Sequence, residues 1–353
     1  MRILHVANQQ LRRYGLTRVS WAQKLYFGLI KNGHFVQSFS DRDVAAFEAP
    51  FGIRDLGAKK ANRRLLETAE AMQPDLVVVG HCDLITNETL AQLRQMLPQV
   101  AIAGCNNDPL FIPENVAKIR TRCDVVDAMF VSTGVRELQQ FEGRRARLYH
   151  MPNPVDESIE RFDASAADDL PIDLVYCSNA TKYTKRHDDI RYLQKKLDDH
   201  LNFKVYGSFG TPPVWGVEYD RVLSESKMGL NFNRQEGLHW YSSARIAQLG
   251  GNGVLILTNA AAGLDTLFPP ETLVYYRNLD ELAKLALEFH HDDAKRRAWA
   301  AATRRYFHQE MNTRLNSQYI VEATMELAFS HPYVWMENDA AESSSPGAVT
   351  GLD

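Results

Sequence analysis

Short apolar runs alternate with helical patterns through the first half of the chain. The runs lie at 3–7, 35–39, 76–79, 100–103 and 128–131, and amphipathic stretches at 19–31, 63–72, 90–97, 116–120 and 135–141 separate them. Runs such as LVVV (76–79) and AMFV (128–131) show no polar alternation, which predicts parallel strands covered by helices on both faces. Strand–helix alternation of this kind predicts a doubly wound α/β sheet.

The pattern breaks at Met151-Pro152-Asn153-Pro154-Val155-Asp156, where two prolines exclude a continuing helix or central strand, and an acidic, alanine-rich spacer follows at 163–169. A hinge is expected near 152–170. Alternation then restarts, with strands expected at 173–179, 203–207, 228–233 and 253–259 and a short one near Val274. Helices are expected at 188–201, 219–227, 243–249, 279–289, 293–309 and 315–329. The fold class is therefore α/β, two doubly wound Rossmann-like domains facing a cleft. Residues 1–155 form the first domain, 156–312 the second, and 313–337 a final helix. That helix carries an apolar stripe of Leu315, Tyr319, Ile320 and Ala323 that has to be buried. Residues 338–353 have the polar, serine-containing composition of a disordered tail.

Composition narrows the function classes. A chain of 353 residues with 45% hydrophobic and 24% charged positions has enough apolar surface for two cores. The formal charge of −4 supplies no global basic field, which argues against a nucleic-acid partner. Cys82, Cys105, Cys123 and Cys177 lack the paired spacing of a zinc site and read as reduced thiols. No secretory leader precedes the first strand and no apolar stretch has membrane-spanning length, so a cytoplasmic location is expected. Lys59-Lys60-x-x-Arg63-Arg64 could make peripheral contact with anionic lipid at the inner membrane face, although such a cluster is more often a solvated helix face.

Open parallel sheets bind ligands beyond the carboxyl ends of their strands, so the loops there are the candidates. The first, residues 7–18, offers Gly15 and Arg18 before a helix, and a plain strand–helix turn would account for it equally. It contains no G-x-G-x-x-G, which argues against a dinucleotide cofactor. Asp108, before Pro109, is either a general base or an ordinary Asp-Pro turn residue. His81, beside Asp83, could accept a proton or sit as a satisfied loop residue. In the second half, Lys182, Lys185 and Arg186 place three cations in five positions, either for a diphosphate or as a solvated turn. The loop 231–245 is the richest, with Asn233, Glu236, His239, Tyr241, Ser242, Ser243 and Arg245. There Ser242 or Ser243 is expected to cap the following helix and leave backbone N–H groups for a phosphate. The acid pairs Asp41-x-Asp43, Asp198-Asp199 and Asp292-Asp293 are not read as metal sites.

From Val205 to about Met325 the chain carries, in order, VYG, VEYDRVLSESKMGLNFNR, SSARIAQLGGNGVLILTN, GLDTLF, NLDEL and DDAKRRAWAAATRRYFHQEMNTRLNSQYIV. This succession resembles the carboxyl-terminal domain of group 1 glycosyltransferases of GT-B fold, especially the CgeB-like branch. The resemblance implies that the leading domain binds an acceptor and the trailing domain a nucleotide sugar, with the last helix crossing back over the junction. It further implies no metal and no cofactor besides the nucleotide-sugar donor, with Tyr206, Gly207 and Gln248 near the nucleoside. Two departures stand out: the family's R-x-x-E glutamate falls on Gln248, and another glutamate eight positions earlier falls on Trp240. The expected activity is sugar transfer to a saccharide, lipid-linked or other small acceptor in bacterial glycan or glycoconjugate synthesis. A nucleotide-sugar epimerase or hydrolase, or a silent binding protein, are the alternatives.

Overall fold

The computed structural model describes residues 1–9, 11, 20–178 and 185–336. The first half runs β1 (Arg2–Val6), α1 (Trp21–Lys31), β2 (Phe35–Phe39), α2 (Asp41–Glu48), α3 (Arg54–Met72), β3 (Leu76–Val79) and α4 (Asn87–Met96). It continues with β4 (Ala101–Asn106), α5 (Pro113–Arg122), β5 (Ala128–Val131), α6 (Val135–Leu138) and β6 (Arg147–His150). These strands form one parallel sheet of order β2-β1-β3-β4-β5-β6. Strands β3 and β5 are buried at every position, as their unalternating apolar sequences require.

The second half runs β7 (Ile172–Cys177), α7 (Lys185–Leu197), β8 (Phe203–Tyr206), α8 (Val217–Ser224), β9 (Ser226–Asn231) and α9 (Arg245–Gly251). It ends with β10 (Leu255–Asn259), β11 (Val274–Tyr276), α10 (Leu279–His291), α11 (Asp293–Glu310) and α12 (Thr313–Met325). The second sheet is also parallel, of order β11-β10-β9-β7-β8. Two doubly wound sheets of this kind make the GT-B architecture.

Three elements differ from the sequence expectation. Helix α2 was not anticipated, because DRDVAAFE reads as an acid pair; its Asp41 and Asp43 instead occupy a first helical turn, where carboxylates oppose the helix dipole. Helix α3 begins nine residues before the expected 63, since its buried seam there is small, Gly57 and Ala61, and gives a faint apolar period. Strand β6 (RLYH) lies just before the break at Met151 and was not anticipated, three of its four residues being only half buried.

Helix α12 leaves the second half and packs on the first, against α1, β4 and β5. Helix α1 accepts it at Gly28, where a Cβ would stand 2.0 Å from the Thr313 carbonyl oxygen. Tyr319, Ile320 and Ala323 are buried there, with Leu315 half buried. The linker is held by both halves. Val155 exchanges backbone hydrogen bonds with Met311 and Thr313 at 2.9 Å, and Lys24 of α1 reaches Glu160 at 2.5 Å and the Pro154 carbonyl at 2.9 Å. Lys31 pairs with Asp156 at 2.8 Å.

Candidate functional site

On the first domain, β3 and β4 are neighbours, so their carboxyl ends deliver His81 and Asp108 to one place. His81 Nδ1 lies 3.1 Å from Asp108 Oδ2. The Arg42 guanidinium lies 3.1 Å from His81 Nε2 and also pairs with Asp83. Arginine only donates, so Nε2 accepts and the Nδ1 proton points to Asp108. Asp41 fixes this corner by accepting from the backbone N–H groups of Asp83 (3.0 Å) and Leu84 (3.2 Å), which sets Arg42 beside His81. His81 and Asp108, each a separate candidate in the sequence, are thus one pair, and Asp108 is also a turn residue, its N–H bonded to Asn106 Oδ1 at 2.8 Å.

A cleft of about 140 Å³ opens beside this pair, lined among others by Asn87, Asn106, Lys118 and Arg122. The hydrogen bond to Asp108 raises the His81 pKa against the effect of burial. Burial pushes Asp108 up, but the His81 hydrogen bond and the charges of His81, Lys118 and Arg42 outweigh it and hold the carboxyl below its ordinary value. Such a carboxylate stays ionised near neutrality, and can accept a proton directly or steady an imidazolium.

On the second domain the carboxyl ends of β7 and β9 are tied together by Arg245, whose Nε donates to the Cys177 carbonyl (3.0 Å) and whose Nη1 donates to that of Phe232 (3.1 Å). Its guanidinium lies 5.1 Å over the Tyr176 ring. Arg186, in the first turn of α7, donates to the Tyr176 hydroxyl at 3.1 Å. Burial lowers the Arg186 pKa, and the charges of Arg245 and Arg234 lower it further, so three arginines share one corner. Glu236 lies within reach of Asn233 Nδ2 at 3.4 Å, and burial raises its pKa. Asn233 also donates to the Tyr241 carbonyl at 3.3 Å.

Tyr241 stands between the two sides. Its ring meets Phe111 of the first domain edge-on at 6.1 Å. Burial raises its pKa, and its hydroxyl feels Arg234, Arg245 and Arg186 from its own domain and Asp108 from the other. Tyr241 therefore touches the first domain while lying within electrostatic reach of both the cationic corner and Asp108.

His239 serves the domain junction. Its N–H donates to Glu137 Oε1 (2.8 Å), its carbonyl accepts from Gly134 (2.7 Å), and a Cβ at Gly134 would fall 2.1 Å from its Nδ1. The ring stacks on Trp240 at 4.7 Å. Trp240 is buried with φ 52°, donates from Nε1 to Thr266 Oγ1 at 2.8 Å, and meets His150 edge-on at 5.1 Å. The position of the family's earlier glutamate is thus packed into the junction.

The expected serine cap is corrected. Helix α9 starts at Arg245 with Ala244 as N-cap and no side-chain capping bond. Ser242 instead accepts from Asn153 Nδ2 through its carbonyl at 3.1 Å. Ser243 Oγ is buried with no hydrogen-bond partner among the described residues. Gln248 Oε1 accepts from the Tyr219 hydroxyl at 3.0 Å, so that oxygen is already engaged against α8. Tyr206 ends β8 and Gly207 follows it, where Ser178 Oγ donates to the Gly207 carbonyl at 3.1 Å. Lys185 is exposed at the start of α7, while Gly15, Arg18 and Lys182 lie outside the described residues. Arg42 and Arg234 were not singled out from sequence. Arg42 sits on the unanticipated helix, and Arg234 was inside the quoted loop, directly after NFN.

Residues 186–322 match the glycosyl transferase-like family, a broad family that does not single out the CgeB-like branch. No curated protein sequence matches the chain. Among solved structures, sucrose-phosphate synthase from Thermosynechococcus elongatus superposes with TM-score 0.62 at 12% identity over 92% of this chain and 99% of that one. Anabaena HepE in complex with UDP and glucose gives 0.60 at 13% identity over 93% and 100%. The UDP-forming trehalose-phosphate synthase from Burkholderia xenovorans gives 0.53 at 12% identity over 93% and 100%. At such identities the likeness is one of fold. The chain thus has the two-domain GT-B fold of these structures across both halves, and residues 186–322 are similar to the glycosyl transferase-like family.

Proposed function

We propose that the second domain binds a nucleoside diphosphate sugar and that the first domain presents an acceptor hydroxyl to the His81–Asp108 pair. The observation that carries this reading is Tyr241, buried in the second domain with its ring edge-on to Phe111 of the first at 6.1 Å, and within electrostatic reach of Arg186, Arg234, Arg245 and Asp108. Three arginines in one partly buried corner repel one another, and a diphosphate relieves that repulsion through charge-assisted hydrogen bonds. Ser243 Oγ, which has no hydrogen-bond partner among the described residues, Glu236, which feels the Arg186 charge, and Tyr241 would meet the sugar or phosphates. The arginine charge meets the diphosphate without a metal or organic cofactor. Uridine diphosphate is the donor nucleotide we test first, because HepE is bound to UDP and to UDP-glucose in its structures.

In the reaction the acceptor oxygen forms the new bond to the anomeric carbon while its proton passes to Asp108, or to His81 Nε2 once Arg42 swings away. The anomeric bond to the diphosphate breaks, the nucleoside diphosphate leaves, and this single displacement inverts the anomeric centre. Hinge closure would exclude water and limit hydrolysis of the donor. A saccharide or a lipid-linked sugar in bacterial glycan synthesis suits this cleft as acceptor. No helix among the described residues is long and apolar enough to cross a membrane. Four free thiols suit a reducing cytoplasm.

Calorimetry with UDP and UDP-glucose, followed by product analysis with and without an acceptor panel, tests the reading. Donor binding with transfer supports it. Turnover without acceptor would make the chain a hydrolase or epimerase, and binding without turnover would make it a silent binding protein, the outcome that the engaged Gln248 and buried Trp240 favour.

A further inference from the structure

Helices α2 and α3 form an antiparallel hairpin that rises from the carboxyl edge of the first sheet, where the cleft opens. At 19 residues, α3 is about 28 Å long, whereas the four-residue strand β3 it leads into spans only about 13 Å, so its first turns overhang the sheet. The overhanging tip carries four large apolar side chains within ten residues: Phe51 is 98% exposed, Phe47 87%, Leu56 62% and Ile53 53%. The other exposed large apolar residues are scattered singly or in pairs along the chain. Phe51 also has φ 56°, a left-handed conformation that a bulky residue rarely adopts, and no burial compensates it. Packing among the described residues therefore does not explain the tip.

The charge beside it is equally uneven. Over residues 47–67, Arg54, Lys59, Lys60, Arg63 and Arg64 outnumber Glu48, Asp55 and Glu67, a local excess of two positive charges on a chain whose net charge is −4; Arg63 and Arg64 pair with Glu67 and Glu48, which leaves Lys59 and Lys60 as the cations without a carboxylate partner among the described residues. Lys59, Lys60 and Arg63 are exposed on the flank of α3 below Leu56. An apolar wedge with a basic collar suits an anionic bilayer, where aromatic side chains enter the headgroup region and cations meet lipid charge. The same collar disfavours a second copy of this chain, which would bring like charges together.

We infer that the α2–α3 tip docks this protein on an anionic membrane surface, with Phe47 and Phe51 inserted and Lys59 and Lys60 against the headgroups. Arg42 lies six residues before the end of α2, about 9 Å from the tip along the helix, so docking would hold the cleft close to the headgroup layer. This deepens the proposed function by favouring a lipid-linked acceptor. Vesicle binding is measured without donor or acceptor, so the two readings fail separately.

Flotation of the full chain with phosphatidylcholine vesicles, and with phosphatidylcholine–phosphatidylglycerol vesicles, tests it. Binding is expected to the anionic vesicles only, weakening as salt is raised. A Phe47→Ser/Phe51→Ser variant should lose at least about tenfold in affinity while keeping its melting temperature, because neither ring packs in the core. A Lys59→Glu/Lys60→Glu variant should lose at least as much, since each cation near such a surface contributes about fivefold. Undiminished binding by either variant, or equal binding to neutral vesicles, would overturn the inference. So would a concentration-dependent dimer, seen by light scattering, that Phe47→Ser/Phe51→Ser dissolves.

Discussion

At the residue scale, two of the three arginines in the cationic corner do different work. Arg245 bridges two strand ends through backbone carbonyls, whereas Arg234 is exposed in the loop and bonds neither strand. Arg234→Ala should weaken UDP binding by calorimetry with an unchanged melting temperature. Arg245→Ala should weaken binding and also destabilise the fold by about 1–3 kcal/mol, because two carbonyl oxygens lose charged donors. Equal melting temperatures for the two variants would contradict this division. A second prediction concerns buried histidines. His5 and His150 are fully buried, and burial lowers each pKa to about 4. The unfolded chain takes up these protons first, near 6.5, so the stability held by neutral imidazoles is complete above pH 6.5 and is lost as pH falls toward 4. Each histidine steepens the loss by up to about 1.4 kcal/mol per pH unit. Replacing both with glutamine should flatten the decline in stability between pH 7 and 5, measured by chemical denaturation; an unchanged slope would contradict it. His81 and Asp108 were visible in the sequence as residues beyond strand ends. Their pairing was not, because it depends on β3 and β4 being neighbours, and strand order is not written in either segment.

At the element scale, α1 and α12 approach closely at Gly28. A side chain at Gly28 would meet the Thr313 carbonyl and Ser317 Oγ, and backbone on a packed helix cannot swing aside as a flexible side chain can. Gly28→Val should therefore displace α12 and cost about 1–3 kcal/mol or more, read as a lowered denaturation midpoint. Ser317→Ala in the same chain should not restore it, because the nearest clash is with backbone; full recovery would show that the contact is softer than the structure has it. The apolar stripe of α12 was legible, since Tyr319, Ile320 and Ala323 recur at helical spacing. What escaped were elements whose apolar signal is diluted. Helix α2 opens on two acids and a basic residue, the first turns of α3 bury only small side chains, and β6 alternates Arg, Leu, Tyr and His. Tertiary packing decides such segments, and local pattern carries little of it.

At the scale of the whole molecule, the two parallel sheets were legible from alternation alone, and the Pro-Asn-Pro break marked where one gives way to the other. The means by which the halves are joined was not legible, because its partners lie far apart in sequence. Lys24 and Glu160 form a buried ion pair 136 positions apart, with side-chain exposures of only 6% and 2%. Lys24→Met should cost about 3–5 kcal/mol by stranding the Glu160 carboxylate, and adding Glu160→Leu should recover much of that loss. If the double variant were as unstable as the single one, packing rather than charge would hold this joint. The central claim is that Asp108 serves an acceptor while the arginines near Tyr241 hold the donor. The direct measurement is the Asp108→Asn variant, compared with the unaltered protein for UDP-sugar affinity by calorimetry and for transfer rate. The account predicts unchanged donor affinity with transfer reduced about a hundred- to ten-thousand-fold, since an amide cannot take the acceptor's proton. Transfer at the full rate would contradict it and leave Asp108 as a turn residue that happens to bond His81.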